Sequence, residues 1–258
     1  MKITLLDGSV HDREELIDNM HSDEFYYNYL GSRVMSSSNL SLLKSGVKSY
    51  HYVMKYGQKE TPALREGHLF HTMVLEPEKL NNYVFLNVES KNTKAYKEAC
   101  AYHADVYTAK EKRDAERLVD ALLRNQKAMD YLRDAQFEVP MISEIENTAF
   151  RGKADIIQNN GRIVDLKTTM GVDNFNVSAD KFGYHRQCYI YCELFGVSHK
   201  DFWFVVIDKK NLDIGIFDCS EEFYEIGKQS THDLLDMYWQ TIGNPDFEID
   251  DYVLRGTL

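Results

Sequence analysis

Arg162-Ile163-Val164-Asp165-Leu166-Lys167-Thr168 reads as a short strand in which an acid and an amine alternate with aliphatic residues. Neighbouring side chains on a strand point to opposite faces, so Asp165 and Lys167 project together while Val164 and Leu166 point the other way. Residues 136–145 and 149–158 read as two further strands, with turn-like connections at Glu146-Asn147 and Asn159-Asn160-Gly161. The middle strand carries Gly152-Lys153-Ala154-Asp155. Antiparallel pairing through the short turn brings Asp155 close to Asp165. Two carboxylates at that range repel unless a cation sits between them. Hard oxygen ligands with open water positions suit Mg²⁺ or Mn²⁺. A lysine beside such an ion can orient a water or stabilise charge that develops on a phosphate.

Outward from this hairpin, the pattern turns helical on both sides. Ser36-Ser37-Ser38-Asn39 is a run of capping residues ahead of Leu40, Leu42, Leu43 and Val47, which predicts one helix to about residue 56, closed by Gly57. A second is expected from Thr61-Pro62 through Leu64, His68, His71 and Leu75, stopping before Pro77. Residues 92–135 read as predominantly helical, with Leu118, Leu122 and Leu132 on an apolar stripe. After the three strands come a helix over 184–195, strands over 201–208 and 212–218, and a helix over 221–241. The expected fold class is therefore α/β (α+β), with a central mixed sheet flanked by helices.

A length of 258 residues suits a single elaborated domain, and 43% apolar with 28% charged residues is ordinary for one. Residues 1–33 read as an acidic N-terminal extension: a short apolar run, Ile3 to Leu6, precedes an acidic, tyrosine-rich helical stretch. Residues 34–258 then form the domain proper. No stretch approaches the roughly 20 consecutive apolar residues of a membrane helix, and a secretory signal is not expected from the acidic start. Four cysteines (Cys100, Cys188, Cys192 and Cys219) lack the density of a disulfide framework or the spacing of a zinc or iron–sulfur site, so core positions in a cytoplasmic protein are expected.

The net charge of −11 excludes a surface basic all round. Its distribution is uneven: residues 1–30 hold two basic and seven acidic side chains, and residues 218–251 hold one and ten. Residues 31–60 hold five basic side chains (Arg33, Lys44, Lys48, Lys55 and Lys59) against Glu60 alone. A solvated helix face and a local basic surface for an anionic polymer both fit that balance.

An isolated D-x-K is common, and a surface ion pair would explain it. Two features raise its standing. Gln187 and Tyr191 lie four residues apart on the helix predicted after the D-x-K strand, hence on one face. His71 is a polar residue inside the apolar helical run His68-Leu69-Phe70-His71-Thr72-Met73-Val74-Leu75. On its own His71 fits a satisfied core histidine better than a ligand; the order His, G-x-x-D, D-x-K, Q-x-x-x-Y is the specific signal.

That set resembles the PD-(D/E)XK nuclease superfamily, and within it the RecE-type (exodeoxyribonuclease VIII) and RecB-like exonucleases. The likeness spans roughly residues 34–240. It includes Met35-Ser36-Ser37-Ser38-Asn39-Leu40, the segment Thr61 to His71 with Leu75-Glu76-Pro77, Arg151 to Asp155, Val164 to Thr169 and Tyr184 to Tyr191. The resemblance implies a restriction-endonuclease-like core with a helical N-terminal part. It implies that His71, Asp155, Asp165 and the backbone carbonyl of Leu166 bind one or two Mg²⁺ or Mn²⁺ ions. Lys167 would be the catalytic lysine, and Gln187 and Tyr191 would line the site and steady lysine, water or phosphate.

The activity implied is metal-assisted hydrolysis of phosphodiesters in linear double-stranded DNA, 5′ to 3′, leaving 3′ single-stranded tails for recombination or phage DNA processing. The partners implied are DNA ends, a single-strand annealing recombinase and further copies of the chain in a ring-shaped trimer or tetramer, with no membrane. Ala154 stands where the family usually has proline, and Ser45-Gly46 where it often has Ser-Pro. Glu144 is a candidate for assisting a second metal, and His68 competes with His71 as ligand. A site- or structure-specific endonuclease and a catalytically silent DNA-binding relative are the alternatives. Residues 1–30 could brace an interface or occupy the groove as an acidic mimic of DNA.

Overall fold

The turn at Glu146-Asn147 sets the register of the first hairpin of the sheet. Both residues have positive φ, 50° and 59°, the two-residue hairpin geometry whose twist matches the flanking strands. Ile145 therefore pairs with Thr148, and the ladder runs from there to Ala135 opposite Gln158. The computed structural model describes residues 1–253, so the last five residues of the expected domain lie outside the described residues.

In chain order the N-terminal part comprises β1 (Lys2–Thr4), β2 (Val10–Asp12), α1 (Arg13–Asn19), a π-helical turn (Glu24–Tyr29), α2 (Ser37–Ser45), α3 (Val47–Tyr56), α4 (Pro62–Leu75), β3 (Val84–Leu86), α5 (Lys94–Cys100), β4 (Val106–Thr108), α6 (Ala109–Arg124) and α7 (Gln126–Met129). The remainder comprises β5 (Ala135–Ile145), β6 (Thr148–Gln158), β7 (Ile163–Thr169), α8 (Phe175–Phe182), α9 (Tyr184–Phe195), β8 (Phe202–Asp208), β9 (Ile214–Asp218) and α10 (Glu221–Gln240). Strands β5 to β9 form one five-stranded sheet in sequence order. All neighbours are antiparallel except β7 and β8, which are parallel. A parallel pair needs a crossover, and α8 and α9 supply it. The sheet is mixed and flanked by helices, as expected.

Helices cover both faces. Phe70 of α4 with Leu118 and Leu122 of α6 packs on Ile156, Val164, Leu166, Val205 and Ile207. Phe175 and Ala179 of α8 with Cys188 and Cys192 of α9 pack on Ile163, Phe202, Phe204 and Val206. Three cysteines, 188, 192 and 219, are thus core residues, and Cys100 is an exposed free thiol. The first 33 residues form a further buried group, in which Leu5, Leu16, Met20, Tyr26 and Leu30 close over Ile142 and Ala149 of the hairpin. Among the described residues no helix is long and apolar enough to cross a membrane.

Two expected helices are broken. The one predicted from Ser36 to residue 56 is two, because Gly46 at φ 137° turns the chain between α2 and α3; Ser36 caps α2 by accepting the Asn39 N–H. The helical reading of 92–135 misses β4, which pairs in parallel with β3. Val106-Tyr107-Thr108 prefers a strand, and burial fixes that preference: Arg65 stacks on the Tyr107 ring at 4.0 Å and Tyr96 donates to the Val106 carbonyl. Thr108 then starts α6 through a capping box with Glu111.

Asp208, at the end of β8, ties the crossover to the sheet. Its buried carboxylate accepts N–H bonds from Gly171, Val172, Lys210 and Asn211. Charge-assisted bonds of this kind are worth about 1.5–3 kcal/mol each when lost from a buried site, although a shared acceptor does not add them linearly. Asp208→Ala is expected to lower unfolding stability by about 2–4 kcal/mol, read as an earlier midpoint in urea.

Candidate active site

Strands β6 and β7 pair at only two positions, Ile156 with Val164 and Ile157 with Ile163, and then separate. One step beyond the last pair, the same register puts Asp155 opposite Asp165. The separation frees the Leu166 N–H from β6, and Asp155 Oδ2 accepts it at 2.8 Å. The two aspartates of the sequence signal thus meet at a fork between strands.

His71, near the end of α4, reaches into this fork. Its Nδ1 lies 3.5 Å from Asp155 Oδ2. Burial, then the Lys167 charge, lowers the imidazole to about 4. The ring is neutral at physiological pH and keeps a lone pair for a metal. His68 is turned elsewhere, its Nε2 bonded to the Tyr83 hydroxyl at 2.8 Å, so the competition between the two histidines resolves to His71.

The acid that joins them is Glu138. The ladder has the same register on either side of it, Phe137 to Ile156 and Val139 to Ala154, which sets Glu138 across from Asp155. Its own φ is +50°. One ligand atom from each of His71, Glu138 and Asp155 lies within 4.8 Å of the others. Glu144, the carboxylate expected to assist, is exposed and six residues along β5, roughly 20 Å away at strand rise. Counting outward from the Glu146-Asn147 turn pairs 138 with 155; that arithmetic was available in the sequence and points to Glu138.

Asp165 is 1% exposed and stands just outside the tight triad. Its Oδ1 accepts from the Gln187 amide of α9. The Lys167 ammonium lies against Oδ2 and pairs with it. Burial opposes the charge on Lys167, but Asp165 and Asp155 outweigh it and hold the amine above its ordinary range. Gln187 therefore lines the site, as expected of it, and its partner there is the acid.

Tyr191 has a similar supporting place. Its hydroxyl donates to the Lys153 carbonyl at 3.0 Å, pinning β6 beside the fork. A Cβ on Gly152 would fall 2.9 Å from Leu194 Cδ1 and 3.2 Å from Tyr191 Cε2. The glycine of G-x-x-D is thus the space into which α9 packs.

These residues fit a hard divalent cation. A neutral imidazole and the Asp155 and Glu138 carboxylates surround the fork, with the Leu166 backbone and the Asp165 carboxylate adjoining. Burial pushes Asp165 up to about 6; burial raises Asp155 too, and burial with the nearby Asp155 charge raises Glu138. A raised carboxyl stabilises the fold fully below its unfolded value, about 4, and that contribution is lost as pH rises through about 6. A bound cation needs the ionised forms, so its stabilising effect runs the opposite way. Melting curves are expected to show a larger Tm rise with Mn²⁺ at about pH 8 than at about pH 5. Glu138→Gln or Asp155→Asn is expected to remove most of that rise.

Residues 36–246 match the family profile described as a PDDEXK-like domain of unknown function (DUF3799). No curated protein sequence matches the chain. A crystal structure from Eubacterium rectale, named "Putative exonuclease", is similar at a TM-score of 0.67 and 15% identity over 92% of this chain and 95% of that one. At that identity the likeness shows a shared fold. A second solved structure, SSO0001, aligns over 65% of this chain and 74% of its own at 17% identity and a TM-score of 0.32, too low to support an argument. The profile match spans most of the sequence and takes in the whole fork, and on that ground the chain belongs to the PDDEXK-like domain family.

Proposed function

We propose that this protein is a divalent-metal-dependent deoxyribonuclease that degrades linear duplex DNA from its ends. The observation that carries the reading is the fork itself: Asp155 and Asp165 face each other across β6 and β7, with Lys167 charged and pressed against Asp165. A surface ion pair would leave both groups in water, whereas here both are enclosed beside a second carboxylate and an imidazole. The exonuclease name of the Eubacterium rectale protein with this fold points the same way.

His71, Glu138, Asp155 and Asp165 would hold Mg²⁺ or Mn²⁺, one or two ions, with the Leu166 carbonyl. When bound, such an ion supplies Lewis acidity toward phosphate and lowers the pKa of water. Lys167 brings a fixed positive charge to the place where a phosphate gains negative charge. Gln187 keeps the Asp165 carboxylate from rotating away, and Tyr191 keeps β6 in register with the helix behind it.

The remaining features of the activity follow the family likeness: 5′ to 3′ polarity, 3′ tails, a ring of three or four subunits and delivery to a single-strand annealing recombinase in a bacterial or phage-infected cytoplasm. A ring suits a chain of net charge −11, because it confines DNA without a broadly basic exterior. Lys44, Lys48, Lys55 and Lys59 are all exposed on or beside α2 and α3.

End-labelled linear duplex and covalently closed circular duplex, each with Mg²⁺, test the reading. The linear substrate is expected to be degraded and the circle left intact, with EDTA stopping the reaction; cutting of the circle would make the enzyme an endonuclease. Lys167→Ala is expected to lower turnover about 1,000-fold with the Mn²⁺-induced Tm rise retained. Asp165→Ala is expected to abolish cleavage while DNA binding stays equal or tightens. Wild-type rates in Asp165→Ala would overturn the assignment.

A further inference from the structure

Beside the fork, two amines share one carboxylate. Lys153 lies two residues before Asp155 on β6, on the same face. Its ammonium is 3.9 Å from Glu138 Oε2 and 3.0 Å from Asp23 Oδ1. Lys79, in the turn that follows α4, is 2.5 Å from the other oxygen, Asp23 Oδ2, and 2.9 Å from Glu76. Asp23 therefore places one oxygen on each lysine, next to the carboxylates of the candidate metal site.

Two observations say that this carboxylate stands in for something else. Asp23 occupies the cap position of the π-helical turn yet makes no capping bond with its side chain, so the usual reason for an aspartate there is absent. Further along the same strand face, Arg151 is 5% exposed, its Nε has no partner among the described residues, and its guanidinium rests on the Tyr26 ring at 4.3 Å. The Lys153 amine sits over that same ring at 4.9 Å. Two cations thus stack on Tyr26 within a protein that is acidic overall, and Asp23, 48% exposed at its side chain, covers Lys153 and the neighbouring Lys79.

We propose that Lys79 and Lys153 form a subsite for a DNA backbone phosphate next to the scissile one, and that Asp23 is an intramolecular competitor which that phosphate displaces. A phosphodiester carries one negative charge over two non-bridging oxygens, as a carboxylate does, so it can take both amines in the same way. Only a side chain must move: Leu16, Met20, Tyr26 and Leu30 anchor the segment on both sides of Asp23 in the core. The acidic N-terminal extension then acts as a built-in brake on DNA affinity. This inference rests on the nuclease reading and adds to it a phosphate contact and its regulation.

The test is fluorescence anisotropy of a short labelled linear duplex, with Ca²⁺ in place of Mg²⁺ to allow binding without turnover. Asp23→Asn is expected to tighten binding about 5–10-fold, and Lys79→Gln to weaken it by a similar factor and to lower the salt slope by about 1. In the double variant the gain from Asp23→Asn is expected to shrink, because the two residues act on one subsite. Unchanged affinity in Lys79→Gln, or an Asp23→Asn gain of equal size with and without Lys79, would overturn the inference. Mn²⁺-dependent degradation of the same duplex by the wild-type protein reads the nuclease assignment separately. If the wild type neither binds nor degrades the duplex, both fall; if it degrades the duplex while both variants bind as it does, only the subsite falls.

Discussion

Enclosing Glu138 and Asp155 beside His71, with Asp165 adjoining, is the constraint on which the structure around the fork depends. Burial drives the pKa values of Glu138, Asp155 and Asp165 up, and the Asp155 charge adds to that rise at Glu138 and Asp165. The fold offsets part of that cost internally. Lys167 neutralises Asp165, the Leu166 N–H and His71 face Asp155, and Lys153 approaches Glu138. The compensation is incomplete, since all three carboxyls stay above their ordinary range. A divalent cation would complete it, which is why strain, chemistry and fold coincide at one place.

The scaffold places that cluster through the simplest of devices. A two-residue turn fixes the β5–β6 register, a short antiparallel contact fixes β6 against β7, and the parallel β7–β8 pair demands the α8–α9 crossover that brings Gln187 and Tyr191 behind the strands. Helix α9 can approach so closely because residue 152 is glycine. The G-x-x-D, D-x-K and Q-x-x-x-Y elements are therefore one packing arrangement seen at three points of the chain.

Much of this was legible in the residues. The alternation in 162–168 and the turn residues at 146–147 and 159–161 foretold the antiparallel hairpins, and helix α9 falls on its predicted bounds because Gly196 ends it. Glu138 was missed because its significance is purely one of register: nothing in Phe137-Glu138-Val139 is unusual until the turn is counted out. The break at Gly46 and the strand at Val106 escaped for a different reason. Both depend on what packs against them, Arg65 and Tyr96 in the second case, and local preference cannot see such partners. Likewise, the roles of Gln187 and Tyr191 as supports came from distances, since a helical spacing of four says only that two side chains share a face.

The central claim is that the fork binds a divalent ion through His71, Glu138 and Asp155, with Asp165 and the Leu166 carbonyl adjoining. Anomalous diffraction from crystals of the protein soaked in Mn²⁺ addresses it most directly. The account predicts an anomalous peak at the β6–β7 fork, with Asp155 and Glu138 oxygens and a His71 nitrogen at coordination distance, about 2.0–2.3 Å. A fork that stays free of manganese in well-ordered crystals, or an ion held elsewhere with Lys167 still closed on Asp165, would contradict it.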